Sequence, residues 1–146
     1  MKNNDDLGNV GDLVSLALEK SNSCLGDAKR LQNEGCFDGA VNRAYYSIFW
    51  GISCVHLLDG NRFKRHKDAI GIFNKKYVHT GIFLSEYGRK IANAELARHK
   101  SDYDILTKAT EFTSREHIVF AEQFFQSVEE YCRQRLSEDH SCSQTM

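Results

Sequence analysis

The chain has no proline and no C-x-x-C pair, and its net charge is only −1 across 146 residues. Without proline nothing forces a helix to kink or stop. The absence of any alternating run rich in Val, Ile or Thr leaves no segment that reads as a strand. A charge balance this close to neutral supplies no global field for a polyanion, so any anion site must be local. No apolar run approaches the ~18 residues of a membrane span, and the opening M-K-N-N-D-D-L-G-N-V-G-D lacks the apolar core of a signal peptide. The expectation is a soluble, cytoplasmic protein with no membrane association. Five cysteines (Cys24, Cys36, Cys54, Cys132 and Cys142) read as reduced, mostly packing thiols. Six histidines show no H-E-x-x-H or paired spacing, so neither a metal nor another cofactor is expected.

What is present is helical periodicity. With 41% hydrophobic residues the length suits one domain with its own core. Residues 1–11 are expected to be a flexible N-terminus, 12–136 a helical bundle, and 137–146, S-E-D-H-S-C-S-Q-T-M, a disordered tail. A first helix is predicted from about Asp12 to Asn33, with Leu18, Leu25, Ala28 and Leu31 among its apolar positions and Gly35 as its C-terminal stop. A short turn at Cys36 and Phe37 makes the next helix its antiparallel neighbour. Further helices are predicted from about Asp68 to Tyr77, Leu84 to His99 and Thr107 to Leu136. In the last, Ala121, Phe124, Phe125, Val128, Tyr131 and Cys132 share a face. The class is therefore all-α, a bundle of four to five helices.

The second helix, D-G-A-V-N-R-A-Y-Y-S-I-F-W-G-I-S-C-V-H-L-L, is apolar on two sides. Val41, Ala44, Tyr45, Ile48, Ile52 and Val55 form one face and read as core. Tyr46, Trp50 and Leu57 form a second strip, with Arg43 at its edge. A helix apolar nearly all round must be covered twice, and a second copy of the chain is the simplest second cover. Tyr46 thus reads first as part of a homodimer seam and only second as a platform for base stacking.

The stretch A-R-H-K-S-D-Y-D, Ala97 to Asp104, closes the fourth predicted helix. Leu84, Tyr87, Ile91 and Ala94 mark its buried stripe, and the next step lands on Arg98. An arginine on an inward line either stretches over apolar surface with its head in water or has its head held by an acid or a phosphate. Asp102, one turn on, supplies that acid. One reading is a pair that closes the helix end. The other is a phosphate groove in which Asp102 orients Arg98. Tyr103 falls on a different side from Arg98 if the helix runs on. A basic turn, R-F-K-R-H-K, adds Arg65, His66 and Lys67, which read either as solvated charge or as phosphate contacts.

In this order, S-C-L-G-D-A-K-R-L, the glycine turn, A-V-N-R-A-Y-Y-S-I-F-W, R-H-K-D-A-I-G-I-F, Y-V-H-T-G-I-F and A-R-H-K-S-D-Y-D resemble the HEPN superfamily, in particular its small stand-alone prokaryotic members. The likeness spans about Leu18 to Leu136. It implies an up-and-down bundle of four or five helices that dimerises, often encoded beside a small nucleotidyltransferase as a toxin and antitoxin pair. Many relatives are metal-independent ribonucleases in which a histidine follows the arginine by a few residues. Here Tyr103, Asp104 and Ile105 stand where that histidine would be, and His99 directly follows Arg98.

RNA cleavage through the 2′-hydroxyl needs a base near neutrality as well as a cation. Arg98 serves only the second need, and His66, brought in from the basic turn, is the candidate for the first. Tyr103 is, by the same resemblance, a candidate acceptor of a nucleotide from the partner nucleotidyltransferase. Two functions follow as expectations. One is a toxin or defence protein that cleaves RNA with Arg98, Asp102 and His66 at a homodimeric cleft, with Arg43, Tyr46, Arg65, Lys67 and Tyr103 contributing to binding. The other is a non-catalytic module that binds RNA or a nucleotide, or regulates a nucleotidyltransferase, through the same cleft.

Overall fold

The computed structural model describes residues 9–144, with side chains placed to Glu138. Five helices are present and no strand occurs among the described residues: α1 (Val10–Asn33), α2 (Phe37–Leu58), α3 (His66–Phe73), α4 (Glu86–Tyr103) and α5 (Glu111–Gln144). A π-helical turn, Asn74–Val78, extends α3. The expected all-α bundle is what forms.

Helix α2 is the axis of the bundle and packs against α1, α4 and α5, with α3 across its C-terminal half. Its predicted inner face, Val41, Ala44, Tyr45, Ile48, Ile52 and Val55, is buried throughout. It meets Tyr87, Ile91 and Ala94 from α4, and Ala121, Phe124 and Val128 from α5, in one core. Gly35 takes φ +79°, the left-handed conformation that ends α1 and turns the chain into α2. The α1 and α2 backbones approach through two buried serines, and the Ser21 hydroxyl donates to the Ser47 carbonyl oxygen at 2.7 Å. At the far end a polar clamp ties three elements together. Asp59 accepts from Tyr77 and from Arg135, the latter at 2.8 Å, and Arg135 also donates to the Tyr131 hydroxyl at 2.8 Å. Burial would raise the Asp59 carboxyl, but these donors outweigh it and hold the group below its usual value.

Several boundaries move, each for a local reason. Residues 1–8 of the expected flexible N-terminus lie outside the described residues, but the rest of that segment is ordered by a cap. The Asn9 side chain accepts the Asp12 N–H at 2.8 Å, and α1 begins at Val10. Leu84, expected on the buried stripe of the fourth helix, is instead 56% exposed. Phe83 takes the inward position, pinned by its N–H bond to the Tyr77 carbonyl at 2.8 Å, and α4 starts only at Glu86. Helix α4 then runs four residues past His99.

Residues 107–110, predicted as the start of the fifth helix, precede it as irregular chain, and Thr110 caps it. Thr110 and Thr113 exchange side-chain to backbone bonds of 3.0 and 3.1 Å. Helix α5 continues to Gln144, past Leu136, where the fifth helix is expected to end. No proline or glycine follows Leu136 to stop the helix. Thr145 and Met146 lie outside the described residues.

Gly51 sits where α2 touches α5, and a Cβ there would lie 2.9 Å from Cε2 of Phe124 and 3.5 Å from Val128. Both side chains are fully buried and have no room to retreat. Gly51→Ala is expected to destabilise the fold by about 1–3 kcal/mol despite alanine's better helix propensity, measured as a fall in the urea midpoint at unchanged slope.

Candidate functional site

Along α2, Asn42, Tyr45, Tyr46 and Phe49 recur at i, i+3, i+4 and i+7. On α4, Glu95, Arg98 and Asp102 recur at i, i+3 and i+7. Helical geometry puts each set on one face, and the packing of α2 against α4 turns the two faces toward each other. The N-terminal residue of α3, His66, closes the group from the side.

Arg98 is the least satisfied side chain of the group. Only 15% of its side chain is exposed, and its closest acidic contact is Nη1 to Oδ2 of Asp102 at 3.7 Å, outside hydrogen-bond range. Its Nε is buried with no hydrogen-bond partner. What holds the head group is aromatic. The guanidinium carbon lies 4.9 Å from the Tyr45 ring centre and 5.9 Å from that of Tyr46. Arg98 also borders an open cavity of about 290 Å³ with Glu95 and His99. Leaving that one donor buried and unpaired costs about 1–3 kcal/mol. An oxyanion reaching this head group from the cavity would recover that cost.

His66 is brought to the same tyrosines. Its Nδ1 is 3.0 Å from the Tyr45 hydroxyl, and its ring stacks on Phe49 at 3.9 Å and meets Tyr46 edge-on at 5.8 Å. Loss of hydration, and secondarily the Arg98 charge, hold His66 below its usual pKa, with Glu95 opposing. The imidazole is therefore neutral at physiological pH, and its Nε2 has no partner among the described residues. Tyr45, pushed up to about 12 by burial and then by Glu95, stays a protonated phenol.

The second tyrosine is framed by a chain of polar contacts. Asn42 donates to both Asp102 oxygens at 3.3 and 3.0 Å, and its own oxygen accepts from Arg43 at 3.0 and 2.8 Å. Arg43 in turn lies over Tyr46 at 5.0 Å. Asp102 is thus anchored from α2 and faces Arg98 as a fixed carboxylate.

Of the residues picked out from the sequence, Arg43, Tyr46, His66, Arg98 and Asp102 come together. Arg65 and Lys67 are exposed and flank His66 at the start of α3. Tyr103 does not join them. Because α4 runs through to residue 103, the Tyr103 ring turns outward, 72% exposed, and packs beside His99 at 5.0 Å. Reading the sequence missed Asn42, Phe49 and Glu95, and took Tyr45 for core alone. Their signal was the polar and aromatic stripe at i, i+3, i+4 and i+7, which passes as ordinary amphipathicity until the facing helix is known. The outer strip of α2 is half-covered within the chain, since Lys20 lies over Trp50 at 4.9 Å and two arginines lie over Tyr46.

Among the described residues no three His, Cys, Asp or Glu side chains cluster as a metal site would, and no helix is long and apolar enough to cross a membrane. The family described as "HEPN domain" matches residues 14–131 of this chain. A protein of Thermotoga maritima named "UPF0332 protein" is 32% identical over 110 residues, 75% of this chain and 83% of its own length. A protein of Methanocaldococcus jannaschii named "Putative toxin MJ0605" is 30% identical over 123 residues, 84% of this chain and 91% of its own. A second protein of that organism, "Putative toxin MJ0142", is 30% identical over 87 residues, 60% of this chain and 59% of its own.

The geometry makes His66 a reporter of Arg98. In a proton NMR titration the His66 ring is expected to change charge below the ~6.5 of a free histidine, and Arg98→Ala is expected to move that midpoint upward by removing a repelling cation. An unmoved midpoint would place the two groups out of electrostatic reach.

Proposed function

We propose that this chain, which belongs to the HEPN domain family, is a toxin- or defence-type protein of the cytoplasm that binds RNA at the Arg98 cluster and cleaves it without a metal. The carrying observation is the Arg98 head group, its Nε buried without a hydrogen-bond partner and its guanidinium over the Tyr45 ring, with a neutral histidine at the hydroxyl of the same phenol. The names of the two archaeal relatives support the toxin reading.

In this reading a phosphodiester lies against Arg98, with Arg65 and Lys67 holding flanking phosphates by charge. The His66 tautomer that the chemistry uses donates Nδ1–H to the Tyr45 oxygen and leaves Nε2 bare. Nε2 takes the proton of the 2′-hydroxyl, and the 2′-oxygen attacks phosphorus. The bond to the 5′-oxygen breaks, and the departing oxygen collects a proton from the imidazolium. A 2′,3′-cyclic phosphate and a 5′-hydroxyl result. Arg98, seated on the Tyr45 ring, meets the charge that grows on the phosphoryl oxygens, and Asp102, tied down by Asn42, adds a nearby opposite charge.

The working form is a homodimer seated on the Tyr46, Trp50 and Leu57 strip, whose rings are only half-covered by their own chain. A second reading, control by a partner nucleotidyltransferase, is favoured by one observation. The Tyr103 hydroxyl-bearing ring stands out from the end of α4, open to an enzyme that would modify it.

Purified protein incubated with mixed RNA in chelator is expected to leave cyclic-phosphate ends, with Arg98→Ala and His66→Ala each slower by roughly 100-fold or more. Binding without cleavage by the wild type would leave the non-catalytic module. Light scattering is expected to give twice the chain mass for the wild type and a single chain mass for Trp50→Glu, with unchanged helical circular dichroism. A wild type that stays monomeric at high concentration would remove the dimer.

A further inference from the structure

Helices α4 and α5 both pack on α2 but barely on each other, and a groove is left between them. Two adjoining cavities of about 430 Å³ each make it up, with Asn93, Glu116 and His117 common to both linings. The lining includes the buried Val41 of α2 and Phe120 of α5, and above them stand Leu96, Phe112 and Val119, which are 53%, 66% and 59% exposed. Single apolar residues scattered on a surface ask for no explanation, but three along one channel with a buried apolar floor do. The α4 wall runs from Arg89 to Ser101 and the α5 wall from Phe112 to Gln123. At 1.5 Å per residue each is roughly 16–18 Å long, three turns of helix.

The same lining carries Arg89, Lys90, Lys100, Lys108 and Arg115 against one acid, Glu116. Lys90 and Arg115 have acidic neighbours on their own helices, Glu86 at 3.9 Å and Glu111 at 2.5 Å. Arg89, Lys100 and Lys108 are exposed and make no ion pair among the described residues. In a chain of net charge −1 this is a local excess of cations along an apolar channel. It decides between occupants. A second copy seated groove to groove would set these cations against their own kind, which two-fold symmetry makes unavoidable. Single-stranded RNA needs ring faces along its path to stack its bases, and of the three exposed apolar residues only Phe112 offers one.

We propose that the groove between α4 and α5 holds an amphipathic helix of a partner protein, apolar on one face and rich in Asp and Glu along its flanks. Its apolar face lies over Leu96, Phe112 and Val119. Its carboxylates meet Arg89, Lys100 and Lys108 on the rim, where charge sets the choice of partner more than the affinity. At about 100° per residue, Arg89, Asn93 and Lys100 fall within about 40° of the side of α4 opposite Arg98, and Val41 lies across α2 from Tyr46, Trp50 and Leu57. The docked helix therefore covers neither the Arg98 cluster nor the dimer strip, and the inference rests on neither reading.

The probe is a fluorescein-labelled helical peptide of about five turns, with leucine at i, i+3, i+4 and i+7 and glutamate on both flanks. The same peptide with lysine for every glutamate is its control. Titrated with the full chain, the acidic peptide is expected to bind at concentrations roughly ten-fold or more below the lysine peptide. Val119→Asp is expected to weaken it by roughly ten-fold or more, and joint Arg89→Glu, Lys100→Glu and Lys108→Glu to reverse the preference between the two peptides. All four positions are exposed, so the helical circular dichroism of these variants should match the wild type, and Arg98→Ala should leave peptide binding unchanged. In proton NMR the ring of His117, which lines both cavities, is expected to shift on adding the acidic peptide while that of His66 stays. Equal binding of the two peptides, or an affinity indifferent to Val119→Asp, would overturn the proposal. So would a short oligouridine that moves His117 where the acidic peptide does not, which gives the groove to RNA, or a dimer mass lost in Val119→Asp, which gives it to a second copy.

Discussion

The site depends on the burial of one phenol. Tyr45 is 1% exposed, with its ring in the core between α2 and its neighbours and its hydroxyl at the margin, where His66 meets it. A buried hydroxyl must find a partner or lose the free energy its hydration supplied. That requirement fixes His66, which opens α3, against α2. The face of the same ring then provides a surface on which Arg98 rests, and a cation over an aromatic face is held without spending its hydrogen-bond donors. A core residue thus brings a base and a cation from two other elements to within about 6 Å of one ring.

The arrangement also explains why Arg98 tolerates being mostly buried. An arginine fully paired with its i+4 acid would be a closed helix end. Here Asp102 is drawn off by Asn42, at 3.0 Å against 3.7 Å to Arg98, and Asn42 is itself held by Arg43. The carboxylate tempers the local charge without quenching the guanidinium. Charge balance across the cluster, Arg43 and Arg98 against Asp102 and Glu95, is even, so the cluster offers directed donors more than a net field. This fits a chain whose total charge is nearly zero.

The fold was largely legible because its signals are local and redundant. The two-sided α2, the glycine at the end of α1 and the stripe of Tyr87, Ile91 and Ala94 each follow from periods of three and four residues. The errors fall where periodicity carries no information. Leu84 has the right spacing but lies before the helix begins, and the extension of α5 is carried by backbone propagation that polar side chains do not advertise. The candidate site was half legible. Arg98 and Asp102 share a helix, so their relation is a matter of counting. His66 reaches them only through tertiary packing, across a separation of 32 positions from Arg98 that no spacing rule spans. Tyr45 was seen as core, correctly for its ring, and its hydroxyl could not be given a partner before α3 was placed.

The missing histidine of the Arg98 motif changes the physical problem without abolishing it. A base supplied from the same helix has its distance to the arginine set by helical pitch. A base supplied from α3 has that distance set by the packing of α3 on α2, through the Phe49 stack and the Tyr45 bond. Such a base can be neutral at physiological pH because burial and Arg98 both act against its protonation. It is also more exposed to mutation at a distance, since anything that loosens the seat of α3, including the π-helical turn behind it, moves the imidazole and leaves Arg98 in place. On the proposed reading, binding and chemistry are separable by where the damage falls. On that reading, changes on α4 would strike both, and changes that unseat α3 would strike the chemistry while leaving Arg98 in place for a phosphate.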